Sequence, residues 1–209
     1  MSESFSYENL IAGSQHPIVS APITIEAGQV LERGALLARE LRGTPTARAD
    51  AGNTGEGTIS NGALTADAEV GTYTITCIDV GVPAVFSVID PGGFRLEDAT
   101  AEVSYSCRVN FLIEAYGTPF AVGDVFTVEV PAGSLEGKAC SLLALDGGAE
   151  PYGILAEDVD ASAGAKLASC YREGEFAAES VVFSAGEDAD DYREACEAIG
   201  IYLRETVTV

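Results

Sequence analysis

Apolar and polar residues alternate with a period of two through the middle of the sequence. Apolar side chains occupy every second position in 73–77, 103–111 and 126–130, and turn residues separate these runs. Such alternation is typical of antiparallel strands that bury one face and expose the other. The run at 103–111 is the most regular and predicts one continuous strand. We therefore predict a small antiparallel β-sandwich over residues 52–130.

The sequence on either side of this region has longer apolar stretches interrupted by glycine. At 151–160, Gly153 precedes two apolar residues and an acidic turn, which predicts a strand with little room for a side chain at its start. Within 23–39, the alternation at Ile23 and Ile25 predicts one strand, and residues 30–37 predict a further buried strand, bent at Gly34. Because this pattern stops and later resumes, we predict that two distant parts of the chain form one β-rich body.

One helix is predicted near the C-terminus, at 187–199. Acidic residues crowd its first turn, where the helix dipole favours negative charge, and Gly200 follows its last turn, where a left-handed residue commonly ends a helix. Further strands are predicted at 166–176, 180–183 and 201–209. The apolar stripe of the helix consists of Tyr192, Ala195, Cys196 and Ile199.

The predicted fold class is mainly β with one short C-terminal helix. The predicted organisation has three parts, namely an N-terminal arm, a discontinuous domain and an inserted antiparallel β-sandwich between the two halves of that domain. Their predicted bounds are 1–20 for the arm, 21–51 with 131–209 for the discontinuous domain, and 52–130 for the insertion.

The charge of the chain is strongly negative. Its 209 residues include 33 acidic and 11 basic ones, which gives a formal net charge of −22. Binding to nucleic acid depends on clustered Lys and Arg, so we expect no direct contact with DNA or RNA. The apolar runs fall far short of the roughly 20 residues that a membrane helix needs, and no signal-peptide pattern is visible. We therefore expect neither a membrane nor a nucleic-acid partner.

Residues suited to catalysis or metal binding are sparse. His16 is the only histidine, and it has no neighbouring cluster of Cys or carboxylate residues. The acids at 157–160 and 187–191 fit a strand end and a helix start better than an acid–base pair or a calcium loop. The glycine-rich stretch 52–57 lacks the Lys and Ser/Thr of a phosphate loop. We predict no catalytic residue, no metal and no cofactor, which favours a structural or binding protein.

The cysteines are odd in number and widely spaced, which favours buried, unpaired side chains in a reducing compartment. A bridge between Cys77 and Cys107 stays open, because sequence alone does not fix the distance between their Cα atoms. The five are Cys77, Cys107, Cys140, Cys170 and Cys196.

The predicted arm combines polar residues with scattered aromatic and aliphatic ones. Such a terminus can add a strand to a partner protein. Tyr7, Leu10 and Ile11 are the candidate contacts for that partner. Packing of the same side chains onto the chain's own core is the alternative.

Several motifs outside 52–130 occur in a characteristic order and spacing. Together they resemble the bacteriophage head decoration protein family, the lambda-type capsid-stabilising proteins. The stretch 52–130 is similar to an insertion found in larger prophage relatives and is absent from the small lambda-type members. The matching motifs lie at 22–38, 142–147, 152–160, 172–176 and 198–203.

The resemblance implies a β-clip-like decoration domain and a structural, non-enzymatic role. It also implies a homotrimer on the outer surface of the virion, at local three-fold positions, with arms that pair with the major capsid protein of the expanded shell. The alternative is a surface-exposed adhesion or carbohydrate-binding module in which the β-sandwich is the active part. Lectin-like sites often use Trp, which this sequence lacks, although Tyr or Phe can replace it.

Overall fold

A computed structural model of the chain describes residues 10–13, 15–60 and 62–205. Over these residues the protein is mainly β with one α-helix, α1 (Ala189–Ala198), which confirms the predicted fold class at that level. The strands, in chain order, are β1 Val19–Ile25, β2 Val30–Leu31, β3 Leu36–Arg39, β4 Thr46–Ala49, β5 Thr58–Ile59, β6 Gly71–Asp79, β7 Val85–Ile89, β8 Ala99–Thr100, β9 Tyr105–Ser106, β10 Asn110–Phe111, β11 Ile113–Glu114, β12 Val125–Val130, β13 Gly137–Ala139, β14 Gly153–Leu155, β15 Val159–Asp160, β16 Lys166–Ala177 and β17 Ile201–Arg204.

The described residues form two compact units. The discontinuous unit comprises those up to Glu40 and those from Leu135 onward, and the central unit comprises Leu41–Ser134. The central unit begins at Leu41 and includes β4, which pairs with β12 through Ala49 and Phe126. Most side chains of β4 are exposed, so this edge strand has a polar sequence that resembles a loop.

The discontinuous unit is built on a closed ladder of strands. Its sheet has the order β1-β13-β3-β14-β16-β17, and β1 also pairs with β16 from Ile25↔Lys166 to Val19↔Glu173. Strands β1 and β3, from the first 40 residues, therefore each lie between two strands from beyond residue 135. Both parts of the chain contribute side chains to the two buried clusters of this unit.

β14 lies between β3 and β16, and all three of its residues are buried. A Cβ atom on Gly153 would stand 2.8 Å from the carbonyl oxygen of Tyr171 and 3.3 Å from Cys170 Sγ. The absence of a side chain at Gly153 is thus what lets β16 approach, as the sequence predicts.

Residues 30–37 are not one bent strand. Gly34, at φ 91°, separates β2 from β3 and brings its backbone close to Ser180, whose carbonyl oxygen would be 2.7 Å from a Cβ at that glycine. The predicted strand at 180–183 is reduced to a single bridge between Val182 and Ala35. The apolar residues around Gly34 therefore predict that this segment is buried, but they do not predict whether it forms one strand or two.

Helix α1 begins two residues after the predicted start. Asp188 is its N-cap and forms a capping box with Asp191, which accounts for part of the acidic cluster. Tyr192 and Cys196 are buried on the sheet, whereas Ala195 is exposed. Gly200, at φ 85°, ends the helix as predicted, and β17 then pairs in parallel with β16.

The central unit has a five-stranded antiparallel sheet in the order β4-β12-β6-β7-β8 and two short strand pairs, β9–β10 and β5–β11. The prediction of one strand over 103–111 is wrong, because the chain folds back into the β9–β10 pair. Tyr105 lies opposite Phe111, with their ring centroids 4.5 Å apart. Odd-numbered residues share one face and even-numbered residues share the other, both in one long strand and in this hairpin. Alternation alone therefore does not distinguish a long strand from a tight hairpin.

All five cysteines are unpaired, so the Cys77–Cys107 bridge is not formed. Four of them are buried, and Cys107 is half-buried. Burial is the main cause that raises the pKa values of Cys140 and Cys196 to about 12, which keeps both thiols protonated and unreactive at neutral pH.

Candidate functional site

The N-terminal segment is attached to the end of β16. The N–H of Ala12 donates to the carbonyl oxygen of Glu175, and the N–H of Ala177 donates to that of Leu10, both at 2.9 Å. The Leu10 side chain is only 3% exposed and belongs to the core of the discontinuous unit. Leu10 therefore anchors the segment, which is the arrangement of the alternative in which these side chains pack onto the chain's own core.

The other two candidate arm residues differ from Leu10. Ile11 is 41% exposed and forms an isolated bridge with Phe176, so part of its side chain is available to a partner. Tyr7 lies outside the described residues. Leu10 and Ile11 thus form an attached stretch at the start of the described residues.

A buried carboxylate fixes the chain just after this attachment. Glu175 accepts hydrogen bonds from the backbone N–H of Gln15 at 2.9 Å and from Arg204 Nη2 at 3.0 Å. The Gln15 N–H first, and then Arg204, hold the pKa of Glu175 below its ordinary value of 4.5. His16 stacks on Tyr202 with 4.1 Å between ring centroids, which gives the single histidine a packing role.

Acidification should release this attachment. Because the folded-state pKa of Glu175 lies below 4.5, its carboxylate contributes fully to stability above that pH, and the contribution is lost as the pH falls through the folded-state pKa. We expect the hydrogen-exchange protection of the Gln15 amide to fall between about pH 5 and pH 3. The variant Glu175→Gln should show weaker protection that no longer depends on pH in this range. An identical pH dependence in the variant would contradict the assignment.

An exposed apolar loop follows β13. Leu142, Leu143 and Leu145 all expose large parts of their side chains, and Leu143 is 88% exposed. The loop is held in place, since Glu187 accepts hydrogen bonds from the Ser141 hydroxyl and the Leu142 N–H, both at 3.0 Å. Adjacent exposed leucines on a fixed loop are typical of a surface that another protein covers. We call residues 141–146 the leucine loop.

Glu187 is also the centre of a polar network that supports this loop. It accepts a hydrogen bond from the Tyr192 hydroxyl, and that bond is the main cause that lowers the pKa of Glu187. Burial is the main cause that raises the pKa of Tyr192. The acidic cluster at 187–191 thus supplies a helix cap and a loop support, whereas the sequence indicates only the cap.

The central unit contains an apolar cavity of about 550 Å³ that the sequence pattern does not predict. Its rim includes the exposed side chains of Val82, Val103 and Tyr116, and Phe120 lies deeper. Glu102 is the one charged residue in its described lining. The cavity can hold an apolar group but has no set of polar groups that would support a reaction.

The acids at 157–160 do not form an acid–base pair. Asp158 accepts the N–H of Arg33, Asp160 accepts the N–H of Ser162, and Glu157 accepts a backbone N–H from β16. Within 10–13, 15–60 and 62–205, no group of three or more His, Cys, Asp or Glu residues is placed to hold a metal ion. In the same described part, no helix has both the length and the apolar character needed to cross a bilayer.

Solved structures give only a weak likeness. Two crystal forms of FlgL from Xanthomonas campestris match with 22% and 23% identity, both at a TM-score of 0.35, over 49% and 48% of this chain and 34% and 33% of that one. The flagellar junction protein FlgL from Legionella pneumophila matches with 17% identity and a TM-score of 0.33, over 49% of this chain and 37% of that one. The chain thus spans about a third of the length of these proteins. Likeness at this level carries no argument about fold or function.

No curated protein matches the sequence significantly. The family model described as "Bacteriophage lambda head decoration protein D" matches residues 2–201. The match includes the central unit as well as both parts of the discontinuous unit, and it confirms the resemblance drawn from the sequence motifs. The chain belongs to the family of bacteriophage lambda head decoration protein D.

Proposed function

We propose that this protein is a homotrimeric capsid decoration protein that binds the expanded lattice of the major capsid protein on the outer surface of the virion. The observation that carries the proposal is the family match over residues 2–201. The role is structural and involves no catalysis. A protein that binds only the expanded lattice stabilises that lattice through its binding free energy.

The attachment of Leu10 to the body supports an arm that consists of residues 1–9. This segment contains Phe5 and Tyr7, whose side chains suit a strand added to the edge of a capsid-protein sheet. Three arms on one trimer bind as linked sites, so each bound arm raises the effective concentration of the other two. Modest affinity per arm is then enough for stable decoration.

The leucine loop supports association between copies. Its apolar side chains would be covered in a trimer, and the support from Glu187 keeps the loop in one conformation before binding, which lowers the entropic cost. We assign the loop to the contact between neighbouring copies.

The central unit is an inserted domain in this proposal. The N–H of Leu135 donates to the carbonyl oxygen of Glu40 at 3.0 Å, so the two ends of the discontinuous unit at which the insertion begins and finishes are adjacent. Adjacent ends are what the insertion of one domain into another requires. The insertion has its own buried core, which includes Tyr73, Phe86 and Phe126.

Removal of residues 1–9 tests the arm. We expect the shortened chain to keep its secondary structure and its trimeric mass, because Leu10 and all described strands remain. It should lose at least about tenfold in affinity for expanded shells, since three linked contacts disappear together. Co-sedimentation with purified expanded shells over a range of protein concentrations measures this affinity.

The matched control is Ser4→Ala, which changes one small polar residue of the arm and should bind as the full chain does. Undiminished binding by the shortened chain would refute the role of the arm. Failure of the full chain to bind expanded shells would refute the proposed function.

A further inference from the structure

Two arginines lie against one tyrosine ring in the discontinuous unit. Arg39 ends β3, Tyr152 immediately precedes β14, and Arg172 lies in β16, so the strand order β3-β14-β16 places them side by side. The Cζ atom of Arg39 is 4.0 Å from the centroid of the Tyr152 ring, and that of Arg172 is 3.6 Å from it. We call these three residues the arginine clamp.

The glycine at the start of β14 makes room for the clamp. A Cβ atom on Gly153 would lie 3.5 Å from Cδ of Arg172, so the stem of this arginine extends along the bare backbone towards Tyr152. The N–H of Tyr152 donates to the carbonyl oxygen of Leu37 at 2.7 Å, which fixes the tyrosine backbone. The clamp is therefore built from rigid strands and is already formed in the single chain.

Neither guanidinium of the clamp has an acidic partner among the described residues. Both Nε atoms are buried and have no hydrogen-bond partner in the described part of the chain. In a sequence with three acids for each base, several other basic residues do form ion pairs with carboxylates. Those with ion pairs include Arg95, Arg108, Lys138, Arg193 and Arg204.

The two positive charges of the clamp lie close to each other on one aromatic ring. Both Cζ atoms lie within 4.0 Å of the same centroid, so the two positive charges are at most about 8 Å apart and repel each other. The ring face attracts each cation, but it does not accept the remaining N–H groups as a carboxylate would. Both arginines are half-buried as whole residues, so an anion from outside the chain would neutralise the pair through the Nη groups rather than through the buried Nε atoms.

We propose that the arginine clamp binds a carboxylate side chain of a second copy of this protein, and so forms part of the contact between copies in the trimer. The inference rests on the proposed function. A carboxylate matches the planar fork of a guanidinium with two parallel hydrogen bonds. Copies that each carry a net charge of −22 repel one another, so the surface where they meet needs local positive charge. The clamp supplies two such charges, and any second copy supplies carboxylates.

The test is the double variant Arg39→Gln/Arg172→Gln, with Arg48→Gln as the matched control. Arg48 is an exposed arginine of the central unit, so its replacement changes the net charge without touching the clamp. Light scattering over a dilution series gives the protein concentration at which the trimer dissociates. We expect this concentration to rise at least about tenfold in the double variant and to stay near that of the unchanged protein in the control.

Salt adds a measurement that a merely structural role of the arginines would not change. Added NaCl screens the repulsion between the acidic copies in both proteins, but it screens the clamp–carboxylate attraction only in the unchanged protein. Salt should therefore stabilise the trimer of the double variant more than it stabilises the unchanged trimer. If the double variant fails to fold, Arg39→Lys/Arg172→Lys keeps both charges, loses the bidentate geometry and should still dissociate at a higher concentration.

The outcomes separate this inference from the proposed function. A trimer with unchanged dissociation and salt dependence in the folded double variant would overturn the clamp and leave the decoration role intact. A double variant that stays trimeric but no longer binds shells would also overturn the proposed contact between copies, since the clamp would then contact the capsid protein. An unchanged protein that stays monomeric at every concentration would contradict the trimer and the clamp together.

Discussion

Replacement of Phe176 by Ala should lower the free energy of unfolding by about 3–5 kcal/mol, because removal of a fully buried ring leaves a cavity that its neighbours fill only in part. Phe176 lies in β16, its ring is 5.5 Å from that of Tyr171, and it belongs to the same core as Leu10. The loss should therefore weaken the attachment of the N-terminal segment along with the sheet. Urea unfolding followed by circular dichroism, at one fixed protein concentration, measures the change.

The chain offers a control of the same residue type. Phe94 is 71% exposed, and Phe94→Ala should change the free energy of unfolding by no more than about 0.5 kcal/mol. Similar losses in the two variants would show that burial of Phe176 is not what stabilises this part of the fold.

Replacement of Gly153 by Ala is expected to cost about 1–3 kcal/mol of the free energy of unfolding, although it adds a single methyl group. The added Cβ would stand 2.8 Å from the backbone oxygen of Tyr171, and a backbone atom of a paired strand cannot move aside as a flexible side chain can. β14 would have to shift against β16, which opens the ring of strands. Thermal unfolding of the variant should begin at a lower temperature than that of the unchanged protein.

Gly81→Ala provides the comparison for this substitution. The nearest atom to a Cβ at Gly81 is 3.4 Å away, which is an ordinary contact, and the position lies in an exposed loop. Its variant should unfold as the unchanged protein does. If both alanine variants behave alike, close backbone approach at Gly153 is not a constraint on the fold.

The sequence predicts the parts of this fold that depend on local chemistry. Gly153 and Gly200 are examples, because a close approach or a left-handed residue favours glycine at the position itself. The helix is also predictable, since its acidic start and its buried Tyr192 and Cys196 lie within a few residues of one another. The mainly β class follows from the alternation of apolar and polar residues, whereas the family was identified through the resemblance of several motifs in order.

Other features depend on pairing between distant residues and were not predictable in this way. The hairpin within 103–111 leaves the alternation unchanged, and the edge strand β4 has the composition of a loop. The arginine clamp needs three strands to be neighbours, although Arg39 and Arg172 are separated by most of the sequence. The role of Leu10 depended on whether β16 offers a place for it, which the residues around Leu10 do not reveal.

The anchor at Leu10 gives the proposed contact between residues 1–9 and the capsid protein a length scale. Nine residues of fully extended chain span at most about 30 Å. A capsid strand that pairs with residues 1–9, as proposed, would therefore lie within about 30 Å of Leu10, and docking onto an expanded shell can be judged against this distance.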